Sequence, residues 1–140
     1  MAKKDYMAKK SKNYFEGLGR RKESVARVRI MDSEESGIVV NDKNLEDFFP
    51  IAELRSALTA PLRATGMEDK LEVSIKTQGG GVRGQAEAAR MGIARALVKY
   101  NDDFHQILKD MDYLKRDSRK KERKKPGLKK SRRAAQWRKR

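Results

Sequence analysis

Leu71-Glu72-Val73-Ser74-Ile75-Lys76-Thr77-Gln78 runs directly into Gly79-Gly80-Gly81-Val82-Arg83-Gly84-Gln85-Ala86, and this junction decides the fold. Up to Gln78 the chain alternates: Leu71, Val73, Ile75 and Thr77 point one way, Glu72, Ser74, Lys76 and Gln78 the other. That is the period of a half-buried strand. Beyond the glycines the period becomes helical. Ala86, Ala89, Ile93, Ala96, Leu97 and Tyr100 share one stripe, while Arg83, Glu87, Arg90, Arg95 and Lys99 fall outside it. A strand that turns through glycines into a helix gathers free amides and the positive end of a helix dipole at one point, which favours an anion.

Working outward, Ser24 to Met31 also alternates, with Ala26, Val28 and Ile30 on one face and Val25, Arg27, Arg29 and Met31 on the other. This is a second half-buried strand with a basic face. A polar turn follows, and Ile38-Val39-Val40 is the expected hairpin partner of that strand. Asn44 is placed to cap a short helix. Pro50 opens a segment with Ile51, Leu54 and Leu58 at helical spacing, Pro61 restarts it and Gly66 ends it. From about Asp103 a last helix carries Phe104, Ile107, Leu108 and Met111. The order predicts an α+β two-layer sandwich, helices against a sheet.

The chain has 140 residues and a formal net charge of +15. That charge is unevenly placed. Residues 115–140 hold fifteen Lys or Arg against Asp117 and Glu122, whereas residues 1–114 hold twenty basic and eighteen acidic side chains. The last segment has too little apolar area to offset the entropy of ordering, so it reads as a disordered tail awaiting a polyanion. Three regions follow: a flexible basic arm over 1–13, a globular domain over 14–114, and the basic tail over 115–140. The arm repeats Met1-Ala2-Lys3-Lys4 as Met7-Ala8-Lys9-Lys10, which suggests a second start or a mobile arm. With no cysteine, disulfides and thiolate metal sites are excluded. No apolar run approaches the roughly twenty residues of a membrane span, and no secretory leader is expected. The lone His105 has no partner pattern, and no nucleophile, acid/base or metal spacing stands out. The expectation is a protein without catalysis, metal or cofactor.

Gly79-x-Gly81-x-x-Gly84 matches the dinucleotide fingerprint as a string, but no strand ending in an acid follows the helix. Gly81-Val82-Arg83-Gly84 also fits the loop of KH domains, which joins two helices rather than a strand and a helix. Phosphate contact from RNA is the preferred reading of Gly79, Gly80, Gly81, Gly84 and Gln85, with a purely structural turn as the alternative. Gly19-Arg20-Arg21-Lys22 leads into the basic strand, where Arg27 and Arg29 stand roughly 7 Å apart, near the spacing of backbone phosphates. Trp137 in the tail suits stacking on a base or docking back on the domain.

Three blocks in order resemble the universal small-subunit ribosomal protein nine family in its bacterial or organellar form. They are Gly19 to Val28, Gly79 to Leu97, and Arg116-Asp117-Ser118-Arg119 followed by Glu122 to Lys130 and the terminal Lys139-Arg140. The resemblance implies a mixed sheet packed by helices, similar to the second domain of ribosomal protein five. It also implies binding to 16S-type rRNA in the subunit head beside other ribosomal proteins in the cytoplasm. The tail would reach peptidyl-site tRNA. On that reading the rRNA contacts are Arg20, Arg21, Lys22, Arg27, Arg29, Arg83, Arg90, Arg95, Arg116, Arg119, Arg123, Lys124, Lys125, Lys129, Lys130, Arg132 and Arg133. The residues nearest tRNA are Trp137, Arg138, Lys139 and Arg140. The chain departs from the family pattern at Asp112, where glycine is usual, and at Lys115, Ala135, Trp137 and Arg138. A free DNA- or RNA-binding chaperone and a dinucleotide enzyme are the competing readings.

Overall fold

The computed structural model describes residues 13–137. Five strands form one open sheet in the order β1-β2-β5-β3-β4. They are β1 (Phe15–Arg21), β2 (Ser24–Asp32), β3 (Gly37–Val40), β4 (Lys43–Asn44) and β5 (Leu71–Gln78). Between β4 and β5 lie α1 (Leu45–Phe48) and α2 (Ala52–Thr65), and after β5 come α3 (Val82–Tyr100) and α4 (Phe104–Asp110). The architecture is α+β with a mixed sheet: β3 runs parallel to β5 and every other pairing is antiparallel.

The alternation in β2 and β5 fixes which face is buried. Val28 pairs with Ile75 and Ile30 with Val73, all of them buried beneath the helices. Leu58, Leu62, Ile93, Leu97 and Leu108 close over them from the helical layer. Each such side chain contributes about 1.5–3 kcal/mol on full burial, against about 0–1 kcal/mol for an exposed ion pair. The apolar layer therefore holds the body together.

One expectation about the sheet is corrected. β3 is not the hairpin partner of β2. It pairs with β5, and the true partner of β2 is β1, the segment Phe15-Glu16-Gly17-Leu18-Gly19-Arg20-Arg21, which showed no strand period. The reason lies in Gly17 and Gly19. A Cβ on Gly17 would stand 2.1 Å from the Gly92 carbonyl oxygen, and one on Gly19 would stand 1.7 Å from that of Ala88. The backbone of α3 rests directly on the backbone of β1, and only glycine fits between them. Gly92 completes the contact, with 2.6 Å between its would-be Cβ and a Val28 methyl.

Smaller differences follow from the same packing. α3 starts at Val82 rather than near Gln85, with Gly81 extended at its cap. Pro61 sits inside α2 instead of restarting it, its ring buried on the core side, and Gly66 ends the helix in the left-handed region. α2 begins at Ala52, after Ile51. Asn44 precedes α1 without a side-chain cap bond. On α4 only Leu108 is buried, while Ile107 and Met111 face outward.

Replacing Gly17 or Gly19 with alanine forces β1 and α3 apart, so we expect a loss of about 1–3 kcal/mol or more, the range for overpacking. Gly81→Ala meets no atom within 4 Å of its Cβ and is expected to leave the melting temperature nearly unchanged. Thermal denaturation of the three variants checks the contrast.

Candidate nucleic-acid interface

The end of β5 and the start of α3 are joined through Ser24, the first residue of β2. Its Oγ donates to the Gly79 carbonyl at 3.0 Å, and Gln85 Nε2 donates to the same carbonyl at 3.2 Å. Gly79 and Gly80 take φ of 75° and 62°, and a Cβ on Gly80 would lie 2.1 Å from Ser24 Oγ. Gly84 is buried against that hydroxyl as well. Those glycines therefore have internal reasons. Gly81 has none: it is exposed, extended, and faces open space. Behind it the first amides of α3 lack helical partners, as in any helix, and no acidic side chain stands in the first turn to neutralise the dipole.

The β1–β2 turn lies beside this loop, since a Cβ on Gly79 would approach the Glu23 carbonyl at 2.6 Å. Arg20 and Lys22 are exposed there and form no ion pair among the described residues. Arg83 is exposed near Glu53 at 3.6 Å. The root of the tail reaches the same end of the sheet. Lys120 pairs with Glu23, and the Arg119 carbonyl accepts from Arg21 Nη1 at 2.7 Å.

A second cationic area covers the face of the sheet turned away from the helices. Arg27 and Arg29 share Glu16, at 3.4 and 3.6 Å, and Arg29 also stacks on the Tyr14 ring at 4.5 Å. Arg27 stands directly opposite Lys76 across β2 and β5. Like charges in that position oppose pairing by about 0.2–1 kcal/mol, and the Glu16 carboxylate beside Arg27 offsets part of this. Lys76 was not among the residues expected at the interface. The outward position of Lys76 in the β5 alternation was the signal that could have found it.

Other expected contacts are engaged within the protein. Arg95 Nη1 donates to the Leu18 carbonyl at 3.0 Å and Lys99 Nζ to the Glu16 carbonyl at 2.8 Å, so α3 covers the outer edge of β1. Arg90 stacks on Tyr113 at 5.4 Å. Arg21 has a side chain only 11% exposed and binds Glu87 through Nε at 2.6 Å. In the tail, Arg116, Arg119, Arg123, Lys124, Lys125, Lys129, Lys130, Arg132 and Arg133 are all exposed. Leu128 and Ala134 form an isolated bridge, and no helix occurs beyond α4 among the described residues. Trp137 is 80% exposed rather than docked on the body. Arg138, Lys139 and Arg140, and the arm before Asn13, lie outside the described residues.

Asp112 adopts φ 60° at the corner between α4 and the tail. Aspartate tolerates this left-handed turn better than most residues, so the corner forms without a glycine. No group of three or more potential metal ligands occurs among the described residues.

A two-layer α+β body with a cationic sheet face and an exposed basic tail defines a protein whose charge layout suits a polyanion. The match to the family described as ribosomal protein S9/S16 spans residues 19–140, and the chain belongs to that family. It is accordingly a structural, rRNA-binding protein of the small ribosomal subunit.

The Asp117 carboxyl is held well below the usual carboxylate range, first by hydrogen bonds from the Arg119 side chain and amide, then by the Arg119 and Arg21 charges. Lys120 lowers Glu23 in the same way. A depressed folded-state value means that the Asp117 contact is at full strength above its ordinary 3.8 and fades only as pH falls further. The Asp117–Arg119 contact at the root of the tail should therefore persist from neutrality to about pH 4 and loosen only in stronger acid. Carboxyl-carbon NMR shifts of Asp117 across that range are the measurement.

Proposed function

We propose that this protein binds 16S-type rRNA in the head of the small subunit and extends its tail to the peptidyl-site tRNA. In this reading residues 14–114 act as the body, 115–140 as the tail and 1–13 as a basic arm, and the ribosome is cytoplasmic. The observation that carries the proposal is the charge distribution. Of a net +15, +13 belongs to the tail, fifteen cations less two acids, and its described cations are exposed. The tail leaves the body beside Arg20, Lys22 and the open position at Gly81, so one RNA surface can meet the loop, the turn and the tail together.

Each region has its own task. Arg20, Lys22, Arg83 and the amides behind Gly81 hold phosphates at the sheet end. Arg27, Arg29 and Lys76 hold them on the open face. Arg116 to Arg133 thread between RNA strands, arginines gripping phosphates in a bidentate way and lysines acting as point charges. Trp137 stacks on a base, and Arg138, Lys139 and Arg140 approach tRNA. The part played here is architectural, without catalysis.

If six to ten tail cations meet phosphates, affinity of the free protein for a flexible RNA should fall by roughly two to four orders of magnitude between about 50 and 200 mM salt. Removing only Lys139 and Arg140 should leave subunits assembled while weakening peptidyl-site tRNA binding. Filter binding on subunits reconstituted with the truncated chain tests this. Failure of assembly, or undiminished tRNA binding, would refute the division of labour.

A further inference from the structure

We propose that Arg21 is a positioning residue that clamps the root of the tail to the body and thereby sets the direction in which the tail departs. The proposal rests on the tail being the working end of the protein. Its own support is a set of contacts that use all three guanidinium nitrogens. Nε donates to Glu87 Oε2 of α3 at 2.6 Å, Nη1 to the Arg119 carbonyl at 2.7 Å, and Nη2 faces Asp117 Oδ2 at 3.5 Å. Strand, helix and tail thus meet on one side chain. It is the least exposed arginine among those in ion pairs of the described residues.

The tail side is built to match. Asp117 accepts the Arg119 amide at 2.9 Å and the Arg119 guanidinium at 2.7 and 2.9 Å, which ties residues 117 and 119 together opposite Arg21. Lys120 fastens to Glu23 one step further on. Upstream, the left-handed corner at Asp112 brings the Tyr113 amide to the Leu108 carbonyl at 3.1 Å. A carboxylate in an RNA-threading segment repels the polyanion. Asp117 is one of only two acids in the tail, and its place opposite a mostly buried arginine gives that acid a task inside the protein. The planar fork matters, because a lysine carries the charge but cannot reach three partners in three directions.

The chain has no cysteine, so a nitroxide on Ser118→Cys reports the root of the tail alone in the full-length protein. We expect an immobilised spectrum that becomes mobile with Arg21→Lys, Arg21→Met and Asp117→Asn, and stays immobilised with Arg20→Met. Arg21→Lys and Asp117→Asn keep the test valid should Arg21→Met fold poorly. In reconstituted subunits, Arg21→Lys should weaken peptidyl-site tRNA binding several-fold, and should add nothing to a chain lacking Lys139 and Arg140. A spectrum mobile in the parent chain or unchanged by the three variants overturns the clamp. So does normal tRNA binding by Arg21→Lys subunits when the truncation alone weakens it. If the truncation has no effect, the tRNA reading fails while the label still decides the clamp.

Discussion

The contact between the backbone of β1 and the backbone of α3 constrains everything else in this protein. Gly17, Gly19 and Gly92 remove the side chains that would keep a strand and a helix a normal layer apart. Brought that close, α3 lies over β1 and β2 together, and its Ala88, Ala89, Ala96 and Leu97 complete the core. The approach also fixes where the helix begins. Its N-terminus arrives beside the β1–β2 turn, so the glycine loop, Arg20 and Lys22 occupy one end of the sheet. Neither sheet nor helix would make that cluster alone.

Charge is then sorted by what each element must do. Several cations on the helical side have partners within the protein: Arg95 and Lys99, themselves exposed, on strand carbonyls, Arg90 on Tyr113, Arg21 on two acids and a carbonyl. Those on the open sheet face and along the tail point outward. The repulsion between Arg27 and Lys76 across the strands is tolerable because packing beneath them is worth far more. The apolar core and the exposed cations are therefore different residues, and the protein can present a strongly cationic surface without loosening its core.

Much of this was legible in the residues. β2 and β5 alternate cleanly because one face is packed and one is open, and α3 shows a helical stripe for the same reason. β1 was not legible, because the glycines that let the helix settle on it also erase strand propensity and alternation. Glycines two apart beside a basic strand were the available clue, since glycine in a strand marks another backbone nearby. The partner of β3 was misjudged because nearest neighbours in sequence are the usual hairpin, and the missing β1 left β2 seemingly free. On the candidate interface, residue type pointed to Arg21, Arg90 and Arg95 alike. Their internal partners lie up to 98 residues away along the chain, as with Arg21 and Arg119, and no local pattern encodes such a distance. Ile107 and Met111 fit a helical stripe, yet α4 is only seven residues long and packs through Leu108.

The covering of the β1 carbonyls by Arg95 and Lys99 matters before any RNA is met. The sheet is open, and an unguarded outer strand invites another chain to add to it. Here one border is sealed by two long cationic side chains, and the opposite border, β4, is only two residues long. A polypeptide so guarded has little to offer a second copy of itself.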